Sequence, residues 1–484
     1  MKLLPQRLKR STNKGFILIT AILVIVVVAF VIGIVFSLVL LSLRKADSNS
    51  RQISVLDVSE AGINYYLWHL AHDPNDYKDG NATPANPPYG PYTHDFTDSS
   101  NNVIGTFTLY ITPPPVGSNR VTVSSKGTIN GGNENRTIVA ELGIPSFANY
   151  AIVANDTVNH LRIGEGTETF GPVHNNGGVR FDGIAHAIVT SAQTTYNDPD
   201  HTGPNEDGVH THQANPDSVF LAGRAFPVPA VNFSQITTDL TNLRTIAQAS
   251  GIYYAASGSS GYHVVVKTND TFDIYRVTGV SGQCSGQDTD RITSQVFITN
   301  RSFPANGVIF IEDKLWIDGQ VDGAQATFVA ARIGATQAQE KSIILNSDLE
   351  YTNYDGTDKL GLIAQRNISI GMTSEGAFSG SADNQEMRID AAMLAQNGRV
   401  GRNYFARYCN STYYQRHNIT IYGSLGTANR YGFTWICGST WTVGDSCDSG
   451  YQNRSLLYDP YLTLLPPPSF PTTGSYAILS WKEQ

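Results

Sequence analysis

Histidine and carboxylate gather in one stretch of this 484-residue chain. His174, His186, His201, His210 and His212 follow one another there, and "HTH" sets two imidazoles at i and i+2, on one face if the segment is a strand. The adjoining "NDPDHTGPNEDG" adds Asp198, Asp200, Glu206 and Asp207 as oxygen donors. Imidazole with carboxylate suits a transition metal, and an all-oxygen cage suits calcium. The helix-loop-helix calcium spacing fails, because the twelfth position counted from Asp198 is Val209. Proline, asparagine and glycine crowd the segment, so the sequence favours a solvated polar loop and assigns no metal ligand.

A second set of acids, Asp313, Asp318, Asp322, Asp348, Glu350, Asp355 and Asp358, raises the possibility of polysaccharide cleavage by paired carboxylates. Most sit in turn-like contexts such as "IDGQVDG" and "NYDGTD", where Asp and Asn are favoured in any protein. No phosphate-binding loop, no G-x-S-x-G and no H-E-x-x-H occurs. No catalytic residue and no cofactor is assigned, and a non-enzyme is expected. The four cysteines form no C-x-x-C pair, and Cys437 and Cys447, ten residues apart, are the disulfide candidates if the body is exported.

The elements that position these residues begin with an apolar run. Phe16 to Leu43 is interrupted only by Thr20, Gly33, Ser37 and Ser42, and as a helix would span about 42 Å, more than a hydrocarbon core of about 30 Å. That is too long for a cleaved secretory signal. Lys2, Arg7, Lys9, Arg10 and Lys14 precede it, against Arg44 and Lys45 after it, which keeps the N-terminus in the cytoplasm and exports the body. The formal net charge is −8 with those five cations included, so the remainder stands at −13, which argues against nucleic acid as the main partner. The helix is expected to continue to His72, ahead of Pro74, with Ile53, Leu56, Ile63, Leu67 and Leu70 as its apolar stripe and Glu60 an acidic exception.

Lys14-Gly15-Phe16 resembles a prepilin-peptidase site, a basic leader ending in glycine ahead of an apolar helix. Ser59-Glu60-Ala61-Gly62-Ile63 resembles the "AEAG" stretch of the PilX-type minor pilins and related pilin-like proteins. The resemblance covers roughly residues 6 to 72. It implies removal of residues 1–15, with Gly15 and Phe16 flanking the cut, and packing of the helix with other pilins through Thr20, Glu60, Ala61 and Gly62. Thr20 departs from the glutamate most major pilins carry at the fifth mature position, which implies a subunit at an end of the filament.

Beyond the spine helix (16–72), residues 73–101 read as a loop. "GTFTLYI" (105–111), "RVTVSSKGTI" (120–129) and "RTIVAEL" (136–142) then read as an antiparallel pilin-like sheet, the region closing at 147. From 148 to 471 short apolar runs recur between turn residues. Those starting at Val308, Ala326, Ile343 and Leu360 give steps of 18, 17 and 17, with another at Ala391 after the insertion "MTSEGAFSGSADNQ". Such recurrence predicts a parallel β-helix (solenoid) head, mainly β, with an inserted α+β excursion at about 193–306. The excursion holds a helix candidate (Phe233, Ile236, Leu240, Leu243, Ile246, Ala247) and the strands "YHVVVK" and "TFDIYRV". The segment 456–471 is expected to cap the solenoid end, followed by a tail at 472–484.

The function expected from these features is that of a minor pilin-like structural protein of a type IV pilus or related filament, displaying its head at the tip for assembly priming and adhesion. Its partners would be other pilins, the prepilin peptidase, the membrane and a host or cell-surface glycan. It would reside in the inner membrane, single-pass, then in an extracellular filament. A membrane-anchored adhesin with an uncleaved anchor and a surface-tethered polysaccharide-degrading β-helix enzyme are the alternatives.

Overall fold

The computed structural model describes residues 14–484 except 83–84, 115–119, 132–133, 200–201, 283–289, 375–385, 439–440, 464 and 475, and omits the side chains of 14–17 and 47. Most of the leader (1–13), Asp200, His201, Cys284 and most of the 372–385 insertion therefore lie outside the described residues. The chain forms two compact units, Met1–Pro114 with Arg120–Gly143 and Ile478–Gln484, and Ile144–Ala477 with residues 115–119.

The first unit is one helix, α1 (Lys14–His72), and an antiparallel sheet. Its strands are β1 (Tyr89–Thr97), β2 (Val103–Thr112), β3 (Val121–Ile129) and β4 (Asn135–Gly143), and Ala477–Glu483 adds a fifth beside β4. β2, β3 and β4 fall where alternation predicts them. β1 was expected to be loop, because its Pro91 disguises it, but an edge strand tolerates proline on its unpaired side. The C-terminus is likewise no loose tail over 477–483. Arg136 pairs with Glu483, and the Gln484 amide donates to Thr137 O at 2.9 Å.

The sheet turns Phe107, Leu109 and Ile111 of β2, Val121 and Val123 of β3, and Ile138, Ala140 and Leu142 of β4 onto the helix, all buried. The helix answers with Val55, Val58, Ser59, Gly62, Ile63, Tyr66 and Leu70, spaced at helical three and four. The expected stripe was rotated from this one: Ile63 and Leu70 belong to it, Leu56 and Leu67 are half-buried, and Ile53 is 62% exposed. Small residues decide the true contact face. Gly127 and Ser125 of β3 allow the helix close, and a heptad of large apolar residues does not detect that.

The second unit is a solenoid of short parallel strands in three ladders. One ladder is followed residue by residue through Tyr253, Phe310, Val329, Ile363, Leu394, Gly426, Val153, His174, Thr190 and Ala225, each paired in register with the next. The side chains one position earlier (Ile252, Ile309, Phe328, Leu362, Met393, Leu425, Ile152, Val173, Val189) point inward and form the main core. The second ladder runs through Tyr262, Leu315, Ile343, Ile368 and Val400, and the third through Gly319, Leu349, Ile389, Ile421 and Leu456.

The stacking order is not the chain order. The chain enters in the middle of the stack at Ile152–Ala154, winds to Arg224–Ala225, and restarts at the opposite end with Ile252–Tyr254. It then winds back until Gln415–Thr427 meets Ile152–Ala154. Helix α2 (Gln235–Ser250) makes the return: Thr237 accepts from Gln396 Nε2 at 2.6 Å, Arg244 pairs with Glu312 at 2.8 Å, and Ser250 accepts from Asn306 at 2.9 Å. Sixteen residues at about 1.5 Å each span about 24 Å, about five strand spacings of about 4.8 Å.

Three sequence expectations change with this topology. Val308, Ala326 and Leu360 lie in the first ladder but Ile343 lies in the second, so the steps of 18, 17 and 17 mix ladders. In-register partners in the first ladder, Thr327, Gly361, Ala392 and Ser424, are 31 to 34 residues apart. Within the 193–306 excursion, Ile252–Tyr254 and Gly261–Lys267 are solenoid strands, and the additions are α2 and the strands Thr271–Ser281 and Arg291–Ser302. The segment 456–471 does not cap the end: Leu462 and Phe470 join α2 in a cluster on the outer face of the first ladder. Gly307, at φ +66°, and Gly361 leave room for Pro467, Pro468 and Phe470 there.

Candidate assembly helix and polar sites of the head

α1 holds two surfaces. From Leu18 to Leu43 its large apolar side chains are all open, from 40% exposed at Leu40 to 70% at Phe30, and the mean hydropathy of its most apolar window is 3.4. This is one helix long and apolar enough to cross a membrane. Thr20 lies exposed on this half, and Gly15 and Phe16 are in its first turn. Apolar surface of this extent requires lipid or other helices around it.

The other half explains the small-residue motif. Ser59 Oγ accepts from Gly127 N at 3.1 Å and lies 3.0 Å from Arg136 O, joining helix to sheet. A Cβ on Gly62 would strike Ser125 and Phe107. Ala61 is half-buried, and Glu60 faces outward, exposed. Ser59 and Gly62 thus serve the unit's own packing, while Glu60 and Thr20 are exposed.

Of the acids singled out from sequence, most serve turns as expected. Asp358 accepts from Thr352 N at 2.9 Å and Asn353 N at 2.6 Å, Asp355 from Thr357 N at 3.0 Å, and Asp313 from Ser257 N at 2.9 Å. Asp318 pairs with His263 at 2.9 Å, and Asp322 accepts from Asn353 at 2.7 Å. Asp348 and Glu350 instead share a face of the third ladder with Asp390. Asp390 is fully buried, accepting from Tyr354 Oη at 2.6 Å and from Arg388 Nε at 3.0 Å. Asp390 has its own sequence signal, for "EMRID" alternates charge at 386, 388 and 390, the mark of one strand face.

Burial raises all three carboxyls, Asp348 further through Glu386 and Asp390, Glu350 through Asp348 and Asp390. Acids raised above their unfolded values stabilise the fold below the unfolded pKa, and that contribution is lost as pH rises through the folded pKa. Lowering the pH from 7 to 5 should therefore strengthen this face. Asp348→Asn keeps an acceptor for Arg388 N, 2.9 Å away, and removes a charge. It should raise the melting temperature at pH 7 by the equivalent of less than about 1 kcal/mol after solvent screening, and the gain should shrink at pH 5. A gain equal at both pH values would show that charge is not the cause.

A cleft of about 360 Å³ is lined by Arg162, Arg399, Arg430 and Arg454 with Tyr431, Phe433 and Trp435. Arg399 lies over the Trp435 ring at 5.1 Å and donates to Asn403 at 2.7 Å; Arg454 donates to Thr434 at 2.9 Å. Burial, and for Arg399 the neighbouring Arg430, weakens the hold of Arg399 and Arg454 on their protons. Cations gathered in an acidic body make a local anion-receptive surface. Their positions, spread from 162 to 454, leave no local sequence signal.

The histidine segment is a solvated loop over 202–205 and at Asp207, as expected, but its ends reach into the fold. Asp198 is 1% exposed, His210 5%, and His160, which the sequence did not single out, 2%. Val179–Phe181 and Val209–His210 pair in parallel, setting Arg180 beside His210, with Asp198 near both. Around its carboxylate stand His210 Nε2 at 3.3 Å, His212 Nε2 at 3.6 Å, His160 Nε2 at 3.7 Å and Arg180 Nη1 at 3.8 Å. Asp182 steadies the group, accepting from His212 N at 2.8 Å and from Arg180 Nε at 2.7 Å. Tyr196 Oη lies 3.2 Å from His210 Nδ1. His174 is bonded elsewhere, to Thr190 and Asn176, and His186 to Glu168. Cys437 and Cys447 are joined as a disulfide, with Cα atoms 5.9 Å apart.

No family model matches the chain, and no curated protein matches it. Among solved structures, a competence-associated pilin, ComZ from Thermus thermophilus, is similar over 90% of this chain and 97% of its own, at 13% identity and a TM-score of 0.28. A likeness of that degree is too slight to carry a conclusion about function.

Proposed function

We propose that this chain is a membrane-inserted, pilin-like subunit, cut after Gly15, that assembles with other pilins through α1 and displays its solenoid head at a filament tip. The observation that supports it is the division of α1: one continuous helix whose first half is apolar on every side and uncovered, while its second half is packed by its own sheet. A helix that only anchored a domain would need no sheet-clad extension. A helix that packs in a bundle of its own kind needs one half for neighbours and one half for its own domain. Thr20, lacking a carboxylate, cannot neutralise a neighbour's terminal amine, which suits a subunit used at one end. The bulk of the head suits the same place.

In this reading the head recognises a surface and performs no covalent chemistry. The arginine-lined cleft is its candidate contact, with a glycan bearing acidic groups as the ligand. Guanidinium forks match carboxylate or sulfate, and the aromatic rings match a sugar face. The net charge of −13 outside the leader region disfavours a long polyanion such as DNA.

Processing is the experiment that separates this reading from a permanently anchored adhesin. The full-length chain, produced with and without a prepilin peptidase, should show loss of residues 1–15 and a new Phe16 terminus by intact-mass measurement only when the peptidase is present. Gly15→Leu should leave the leader attached in nearly all molecules, because a branched side chain would block a site shaped for glycine. An intact Met1 terminus on wild-type protein in the presence of active peptidase would leave the uncleaved anchor as the correct description.

A further inference from the structure

We propose that Asp198, His210 and His212 form a binding site for a divalent transition-metal ion. One ligand atom from each lies within 4.8 Å of the other two. A four-coordinate ion with bonds of about 2.0–2.2 Å holds its ligand atoms about 3.4 Å apart. The separations from Asp198 Oδ2 to the two imidazole nitrogens, 3.3 and 3.6 Å, bracket that value. The three donors need only small adjustments to close on an ion.

Beyond that spacing, the buried His210 points to a ligand, and Arg180 Nη1, 3.8 Å from the same Asp198 oxygen, would have to yield to an ion. His210 is 5% exposed, and its Nε2 faces Asp198 Oδ2 at 3.3 Å without the alignment of a full hydrogen bond. A metal ion held between the two groups would give this buried nitrogen and the carboxylate a better-directed partner than they make for each other. His210 Nδ1 lies 3.2 Å from Tyr196 Oη, the type of outer contact that fixes a tautomer and presents the other nitrogen as a lone pair. The His212 backbone is held through Asp182, so the pair His210 and His212 is oriented by the strand and its anchor. His212 is 34% exposed on its side chain, which leaves a path from solvent. Two nitrogens and one carboxylate select zinc and its first-row neighbours over calcium, which takes oxygen ligands. The sequence held this possibility in "HTH" and "NDPD" but could not show that the carboxylate and one imidazole are buried together.

The test uses the untagged full-length chain in detergent, stripped with chelator and titrated with Co²⁺, then with Zn²⁺. The wild type should take up one equivalent of Co²⁺ with a visible absorption band, lose that band to Zn²⁺, and show no competition from millimolar Ca²⁺. His212→Ala should weaken Co²⁺ binding about 100-fold or more, and because this side chain is one-third exposed its removal leaves the core intact, checked by an unchanged circular dichroism spectrum. His210→Ala should do the same, and His186→Ala, outside the cluster, should bind like the wild type. A wild type that takes up no Co²⁺, or a His212→Ala variant with unchanged affinity and spectrum, overturns the assignment.

Discussion

Gly127→Val should detach the N-terminal unit's sheet from its helix, whereas Gly62→Ala, at the facing position, should cost much less. The two glycines sit on opposite sides of one contact but meet different atoms. A Cβ on Gly127 would stand 2.7 Å from Ser59 N and 2.7 Å from Val55 O, backbone atoms of a regular helix that have nowhere to go. A Cβ on Gly62 would meet Ser125 Oγ, which can rotate, and the buried Phe107 ring, which must shift as a side chain while the backbone on both sides stays in place. Overpacking a well-filled contact costs about 1–3 kcal/mol. With backbone on the far side Gly127→Val should reach about 3 kcal/mol or more, and Gly62→Ala should stay near 1 kcal/mol. The Gly127 amide would also lose its 3.1 Å bond to Ser59 Oγ as the strand is pushed away. Hydrogen exchange reads this directly: amides of 103–143 should lose protection in Gly127→Val, while those of 308–395 keep theirs. Equal losses in the two variants would mean that close approach of helix and strand is not what these glycines provide.

That contact also shows where the sequence was legible. The existence of α1 and its end before Pro74 followed from an unbroken apolar run and from the geometry forced on a residue before proline. β2, β3 and β4 followed from alternation. The orientation of the helix's sheet-clad half did not, because Ser59, Gly62, Ser125 and Gly127 mark the closest approach by being small, and hydrophobic periodicity gives small residues no weight.

The head repeats the lesson at larger scale. Recurring apolar runs made a solenoid legible, but IILN looks like VIFI and ATFVA although it stands in the second ladder and they in the first, so spacing alone does not separate the ladders. Stacking order is still further from the sequence. Nothing in residues 148–154 tells that they lie between Gln415–Thr427 and Val173–Asn175. The same holds for the polar sites. The Asp198 cluster was visible in part because three of its members, Asp198, His210 and His212, are near in sequence, while His160 and the arginines of the cleft are brought in by coils far apart along the chain.

The place where the chain enters its own stack carries the second large effect. Asp156, 3% exposed, sits just after Ile152–Ala154 and binds across the seam. Its Oδ2 accepts from Arg430 N at 2.8 Å, and its Oδ1 from Val158 N at 3.0 Å and Asn159 N at 2.7 Å. Its own backbone is held by Asn175, whose Oδ1 accepts from Asp156 N at 3.1 Å and whose Nδ2 donates to Asp156 O at 3.0 Å. One carboxylate therefore closes the turn that leaves the first strand and ties it to the last coil of the returning segment. Asp156→Ala strips three backbone amides of their acceptor. Each buried amide left unmatched costs about 1–3 kcal/mol, and with water reaching some of them the total should be about 3 kcal/mol. Asp156→Asn keeps one acceptor oxygen and should cost roughly half as much. Urea unfolding of the full chain should rank the wild type above Asp156→Asn and that above Asp156→Ala. Hydrogen exchange should locate the loss at 152–154 and 425–427, on both sides of the seam. If Asp156→Ala frees 152–159 but leaves 425–430 as protected as in the wild type, the two segments are held together by the apolar pairing of Ile152 with Leu425 alone, and the carboxylate serves only its own turn.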